Sequence, residues 1–216
     1  MSKAFDPIAV SYDQWYDSPE GSIIFAAELT CLRQLCGSCP GRWLEVGVGT
    51  GRFSSALGIG EGVDPSPRML DIAAKRGVTA HEGRAEALPF PDGVFDGVLL
   101  AAAVSFIEDP ELALRECRRL LKPGGRLLLG DIAADSPWGR LYTRKGMNQK
   151  SIYSHAKFIS SSEIAALGER LGFELRHAAS TLFWEPGEMP GADPLVRDGM
   201  VPGAGFLGLL FIKPGT

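Results

Sequence analysis

No stretch of this chain stays apolar long enough to span a bilayer. Its opening segment, "MSKAFDPIAVSYDQWYDSPEG", lacks the charged start, apolar run and small-residue cleavage site of an export signal. Both absences lead to the expectation of a cytoplasmic protein that does not engage a membrane. A basic surface is missing too. The 22 Lys and Arg residues face 26 Asp and Glu, a formal charge of −4, and they are scattered apart from short groups such as Arg118-Arg119. A nucleic-acid backbone is therefore a poor partner. Cysteine is sparse, at four residues. Cys31, Cys36 and Cys39 do repeat the C-x4-C-x2-C spacing of plant-type ferredoxins, with Cys117 as a conceivable fourth ligand. Yet Cys31 lies in "FAAELTCLRQLCG" and Cys117 in "LALRECRRLL", both of which read as helix, whereas cluster ligands at this spacing come from a loop. Buried free thiols in a reducing compartment are the expectation, with no metal.

What is present fits one globular domain: 216 residues, 45% hydrophobic and 22% charged, enough for a full core. Residues 21 to 36 read as a helix ending at Gly37, and "GRWLEVGV" as a buried strand. A glycine loop follows, then a helix from about Gly51 to Leu57 and a short strand, "EGVD". Ser66 caps the next helix, with Pro67 in its first turn and Gly77 at its end. "VTAHEG" is a third strand and "GVFDGVLLAAAV" contains a fourth. Asp109 and Pro110 open a helix to Leu121, stopped by the "KPGG" turn, and "RLLLGDI" is a fifth strand. Strands alternating with helices imply a parallel sheet covered on both faces. Residues 132 to 158 lack a clean period and read as an insertion over the sheet. Ser160 and Glu163 form a capping box, stapled by Ile159 and Ile164, for a helix to Leu171 and Gly172. "FELRHAAS" and "GFLGLLFIK" are the last strands, joined through a loop containing Pro186, Pro190, Pro194 and Pro202, and expected to pair antiparallel at one edge. The expected fold is thus α/β, a doubly wound, seven-stranded, mostly parallel sheet with an antiparallel edge strand.

The chemistry gathers at the carboxyl end of the first strand, where doubly wound sheets hold ligands. Gly47, Gly49 and Gly51 let the backbone turn sharply and approach a ligand. A dinucleotide fingerprint would need Gly or Ala at position 52, which is Arg52. Glu45, just before the loop, is a poor neighbour for a pyrophosphate and a good one for positive charge. Asp64, at the end of the second strand, is placed to accept hydrogen bonds from both hydroxyls of a ribose. A ribose clamp beside a loop that disfavours phosphate points to S-adenosylmethionine. A nicotinamide-dependent oxidoreductase and a non-catalytic protein binding S-adenosylmethionine remain as alternatives.

"LEVGVGTGRF" resembles the first motif of the class I S-adenosylmethionine-dependent methyltransferases, and "GVDPSPRML" resembles their acidic second motif. "GRAEALPFPDGVFDGVLL" and "LRECRRLLKPGGRLLLGD" resemble the later motifs around the fourth and fifth strands. Together they cover most of residues 40 to 131 in order. The small-molecule enzymes of quinone and biotin pathways are similar, and "YDQWYDSPEG" looks like their opening aromatic segment. The resemblance implies a Rossmann-like methyltransferase fold in one domain. Residues 1–40 would form a helical lid, 41–131 the cofactor-binding core, 132–158 an acceptor-side insertion, and 159–216 the closing helix and edge strands. It implies that Glu45, Gly47 and Gly49 surround the methionine moiety, with Gly51 in the same loop, Asp64 on the ribose and Pro65 beside the adenosine. Ala85 and Glu86 would border the adenine. Ala101 and Ala102 would face the methionine part and the acceptor side, and Tyr12 and Tyr16 would close over the cofactor.

Methyl transfer needs in-line placement in a dry site more than acid–base machinery. If a base is used, His155 is the candidate, because it lies among Tyr142, Tyr153 and Phe158; Asp131 could instead orient an acceptor. Ala101, Ala102, Ala103 and Val104 stand where the nucleic-acid amino-methyltransferases of the superfamily carry an Asn/Asp-Pro-Pro-aromatic motif. A small, partly apolar acceptor is expected instead, against aromatics drawn from Trp138, Leu141, Tyr142, Tyr153, Phe158, Phe183 and Trp184.

Overall fold

A computed structural model describes residues 3–189 and 195–215; Pro190 and Pro194 of the proline-rich loop lie outside them. A 3-10 helix, Lys3–Ile8, leads into α1 (Ala9–Trp15) and α2 (Pro19–Cys36). Then follow β1 (Trp43–Val46), α3 (Arg52–Leu57), β2 (Glu61–Asp64), α4 (Pro67–Lys75), β3 (Thr79–Glu82) and β4 (Phe95–Ala101). A 3-10 turn, Val104–Phe106, precedes α5 (Pro110–Leu120) and β5 (Leu121–Ile132). The last third contains α6 (Pro137–Gly146), a 3-10 turn Ile152–His155, α7 (Ser161–Arg170), β6 (Glu174–Thr181), β7 (Arg197–Asp198) and β8 (Phe206–Ile212).

Serine or aspartate followed by proline starts four of these helices. Ser18, Ser66, Asp109 and Ser136 each accept a backbone N–H of the first turn, and the proline occupies the position whose own N–H would be unpaired. Ser160 and Glu163 make the expected capping box of α7.

The strand order is β3-β2-β1-β4-β5-β8-β6-β7. Strands β3, β2, β1, β4 and β5 pair in parallel, while β8 runs antiparallel to both β5 and β6. The expected antiparallel strand is therefore present, but it is threaded between two parallel neighbours. The eighth strand is the two-residue β7, antiparallel to β6 at Ala179 and Ser180. It is too short to carry a period in the sequence.

Alternation along the strands sorts the core into two layers. Leu44 and Val46, Val98 and Leu100, and Leu127 and Leu129 face α5 and α7. Trp43, Leu99 and Leu128 face α2 together with Trp138 of α6. Gly97 is required here, because a Cβ would run into the Trp43 indole. The segment expected to be an irregular insertion contains the short helix α6, whose Trp138 is 1% exposed and donates its indole N–H to the Trp184 carbonyl at 2.8 Å. The order of the strands reverses between β2-β1 and β4, and the carboxyl ends of these strands open the crevice that such a reversal creates.

Candidate active site

Strand β1 ends at Val46, and the backbone turns through Gly47 and Gly49, at φ 77° and 51°, a region that only glycine enters without strain. Gly47 and Val48 donate their N–H groups to the Val63 carbonyl at 2.8 and 3.1 Å, locking the loop to the end of β2. There the Asp64 carboxylate is pinned from both sides: the Gly49 N–H donates to Oδ2 at 3.0 Å and the Ser66 N–H to Oδ1 at 2.9 Å. Burial nevertheless raises its pKa above the ordinary aspartate value. Glu45 is 1% exposed and accepts the Ser54 hydroxyl; burial raises its pKa to about 8 against that hydrogen bond.

These groups border a cavity of about 620 Å³. Tyr12, Tyr16, Glu45, Gly47, Gly49, Asp64, Pro65, Ala101 and Ala102 all line it. Gly51, Ala85 and Glu86 do not. Gly51, at φ 78°, caps α3 and packs where a Cβ would press on Ala73 and Val78. Ala85 is fully buried in the core, and Glu86 Oε1 accepts the Glu108 N–H at 3.1 Å, ahead of α5. Reading the motifs missed Phe5, Thr50, Met69 and Phe106, which also line the cavity. Thr50 and Met69 lie inside the two quoted motifs but were not singled out there, Phe106 follows the fourth strand, and Phe5 arrives from the start of the chain.

Arg52 proves to be a clasp. It reaches the Asp13 carboxylate at 2.9 Å, the Asp13 carbonyl at 2.7 Å and Asp17 at 2.9 Å, while Arg76 joins Asp13 at 2.8 Å to the Thr50 carbonyl, also at 2.8 Å. Burial works to raise the Asp13 pKa, but the two guanidinium partners outweigh it and hold the carboxylate below its ordinary value. The clasp draws α1 over the loop and places Tyr12 and Tyr16, whose hydroxyls lie 3.0 Å apart, above the cavity.

A second chamber of about 770 Å³ adjoins the first, sharing Phe5, Tyr12, Tyr16, Ala102 and Phe106. Ala102, at the junction, has φ 50°, an uncommon conformation for a residue with a Cβ. The far wall contains Tyr142, Tyr153 and Phe158, with Tyr142 stacked on Tyr153 at 4.5 Å between centroids. Two carboxylates enter this wall, Glu28 from α2 and Asp131 from β5. Asp131 accepts the N–H groups of Ser105 and Ile132, each at 2.8 Å, yet burial pushes its pKa up to about 6. Glu28 is 4% exposed, and burial, reinforced by Asp131, raises its pKa to about 8.

His155 is not brought to this chamber. It is exposed at the end of its 3-10 turn, while its neighbours Ile152 and Tyr153 supply the wall, so proximity in sequence to the aromatics misplaced it. Trp138 belongs to the core, and Phe183 lies beneath the Arg197 guanidinium at 4.4 Å; neither lines the chamber, nor do Leu141 and Trp184. Cys31 is fully buried against Gly208, and the sulfurs of Cys36 and Cys39 lie 3.6 Å apart. Glu28 had a signal in the sequence. Ile24, Cys31, Leu32 and Leu35 surround it at helical spacing and are all buried, leaving a carboxylate inside an apolar stripe.

A family model for a methyltransferase domain matches residues 44–129. The crystal structure of an S-adenosylmethionine-dependent methyltransferase from Thermotoga maritima, described as a possible histamine N-methyltransferase, superposes with a TM-score of 0.88 at 37% identity, covering 97% of this chain and 98% of that one. An uncharacterized protein of Methanocaldococcus jannaschii is 39% identical over 181 residues, 84% of this chain and 86% of its own. A ubiquinone/menaquinone biosynthesis C-methyltransferase of Rhodopseudomonas palustris is 32% identical over 146 residues, 59% of this chain and 58% of its own. The chain belongs to the S-adenosylmethionine-dependent methyltransferases.

It is an enzyme of methyl transfer with S-adenosylmethionine as cofactor, and the sheet is that of the Rossmann-like methyltransferase fold. The nicotinamide reading of the glycine loop falls with this assignment. The cavity fits the cofactor: a buried, backbone-oriented carboxylate stands at the end of β2, and the buried acid Glu45 lies behind the glycine loop.

Proposed function

We propose that the enzyme methylates an O, N or C atom of a small molecule held in the aromatic chamber. The observation that carries this reading is the junction at Ala102 and Phe106, where the cofactor cavity meets a chamber walled by α1, α2 and the 132–158 segment. Asp64 would hold the ribose, Glu45, Gly47 and Gly49 the methionine portion, and Pro65 the adenosine side, with Tyr12 and Tyr16 closing over them. When bound, the cofactor supplies an activated methyl group on a sulfonium, a good leaving group. The residues around it orient the acceptor and exclude water. The chamber is lined largely by aromatic and aliphatic side chains with two acids and no basic residue among those described, and the chain carries a net charge of −4, which together favour a small acceptor over a nucleic acid. Among the described residues no helix is long and apolar enough to cross a membrane.

Calorimetry with S-adenosylmethionine and S-adenosylhomocysteine tests the cofactor half, and failure of both to bind at millimolar concentration would end the proposal. A screen of small acceptors with a labelled methyl donor tests the other half. Label transferred only to nucleic acid or protein would refute it.

A further inference from the structure

Glu28 and Asp131 line the acceptor chamber and not the cofactor cavity, so balancing the sulfonium does not account for them. No lysine, arginine or histidine lines the chamber among the described residues. Two cations that stack on rings of its wall stay outside the lining: Arg52, 5.3 Å over the Tyr16 ring, is held by Asp13 and Asp17, and Lys145, 5.3 Å over the Tyr142 ring, is exposed. Asp131 is oriented by two backbone N–H groups, whereas no hydrogen bond or ion pair reaches Glu28 among the described residues. A buried carboxylate without a partner is costly, and a nearby second carboxylate makes it costlier. The walls around the pair are Tyr12, Tyr16, Tyr153 and Phe158, whose ring faces attract cations.

Building on the function proposed above, we propose that the acceptor carries a basic nitrogen, which Glu28 and Asp131 recognise and from which they take a proton before methyl transfer. An amine enters as its ammonium form, its charge favouring the ionised form of both acids, so that the pair meets it as carboxylates between the aromatic walls. An N–H bond breaks, its proton passing to a carboxylate oxygen of the pair and its electrons remaining on nitrogen. That lone pair forms the new bond to the methyl carbon while the carbon–sulfur bond breaks, its electrons going to sulfur. The products are S-adenosylhomocysteine and a methylated ammonium, and the carboxyl proton leaves to solvent with product release. A hydroxyl or carbon acid would have to become an anion beside two carboxylates, which the same charges oppose.

The test uses the full chain saturated with S-adenosylhomocysteine, titrated calorimetrically with phenethylamine and benzylamine and with their isosteres 2-phenylethanol and benzyl alcohol. The amines should bind at least tenfold more tightly than the alcohols. Glu28→Gln should remove at least tenfold of that preference while S-adenosylhomocysteine affinity stays within twofold, which also shows that the variant is folded. Alcohols binding as tightly as amines, a preference that survives in Glu28→Gln, or no binding of either amine at millimolar concentration would overturn the inference and leave the methyltransferase reading standing. Failure of the wild-type chain to bind S-adenosylhomocysteine would remove both.

Discussion

Replacing Glu28 by glutamine should make the ligand-free protein more stable, and increasingly so as pH rises. In the folded chain the Glu28 pKa is about 8 against an ordinary 4.5, because burial and the neighbouring Asp131 oppose its charge. The folded state therefore binds this proton more tightly than the unfolded state. Stability from the neutral carboxyl is fully present below the unfolded value and is lost as pH climbs toward the folded one. At about 1 kcal/mol and a little more per unit, the penalty grows from about 1 kcal/mol at pH 5.5 to more than about 4 kcal/mol at pH 8.5. Glutamine has nearly the same shape and no charge to desolvate. The advantage of Glu28→Gln over wild type should therefore widen by about 3 kcal/mol between those two pH values, measured by urea unfolding without cofactor. Glu45, also raised to about 8, titrates in both proteins and cancels in the difference. A gap constant to within about 1 kcal/mol across that range would mean that Glu28 is charged and hydrated in the folded state. The chamber would then be open to water, and its carboxylate pair would give no reason to prefer a cationic acceptor.

Asp64→Ala should weaken S-adenosylhomocysteine binding at least tenfold by calorimetry, about 1.4 kcal/mol, the worth of a charge-assisted contact; unchanged affinity would place the ribose elsewhere. Arg52→Ala removes the contacts to Asp13 and Asp17, so urea unfolding should register a loss of about 2 kcal/mol. Chymotryptic cleavage at Tyr12 and Trp15 should accelerate as α1 comes away from the loop, and cleavage at the wild-type rate would refute the clasp. Ala102 at φ 50° should tolerate glycine with a stability change of no more than about 0.5 kcal/mol. Valine there should cost at least about 1 kcal/mol and abolish methyl transfer by filling the junction, and an active, stable Ala102→Val would contradict that geometry.

The two halves of the site differed in how far the chain betrayed them. Glu45, Gly47, Gly49 and Asp64 lie at the ends of two adjacent parallel strands, so a few contiguous residues set both the backbone path and the cavity-facing groups, and local spacing together with the family resemblance pointed to them. Arg52 was legible only as a residue that breaks a dinucleotide register, since its partners Asp13 and Asp17 come from another helix. The start of α6 was written in the chain and overlooked. "DSPWG" repeats the "DSPEG" that opens α2, each with a serine cap bonded to the glycine three residues on. The absence of a period across residues 132 to 158 obscured it, because α6 spans 10 residues and buries large aromatics such as Trp138 and Tyr142. The acceptor chamber had no comparable local code. It is assembled from Phe5, Tyr12 and Tyr16, from Glu28, from Ala102 and Phe106, from Asp131, and from Tyr142, Tyr153 and Phe158, five segments joined only by the fold. One residue in it still broke a local rule, the acid in the apolar stripe of α2. A carboxylate kept at such a position with no hydrogen-bond or ion-pair partner among the described residues is best explained by a ligand that supplies the missing charge, so the place where helical patterning fails is also where acceptor choice should be sought.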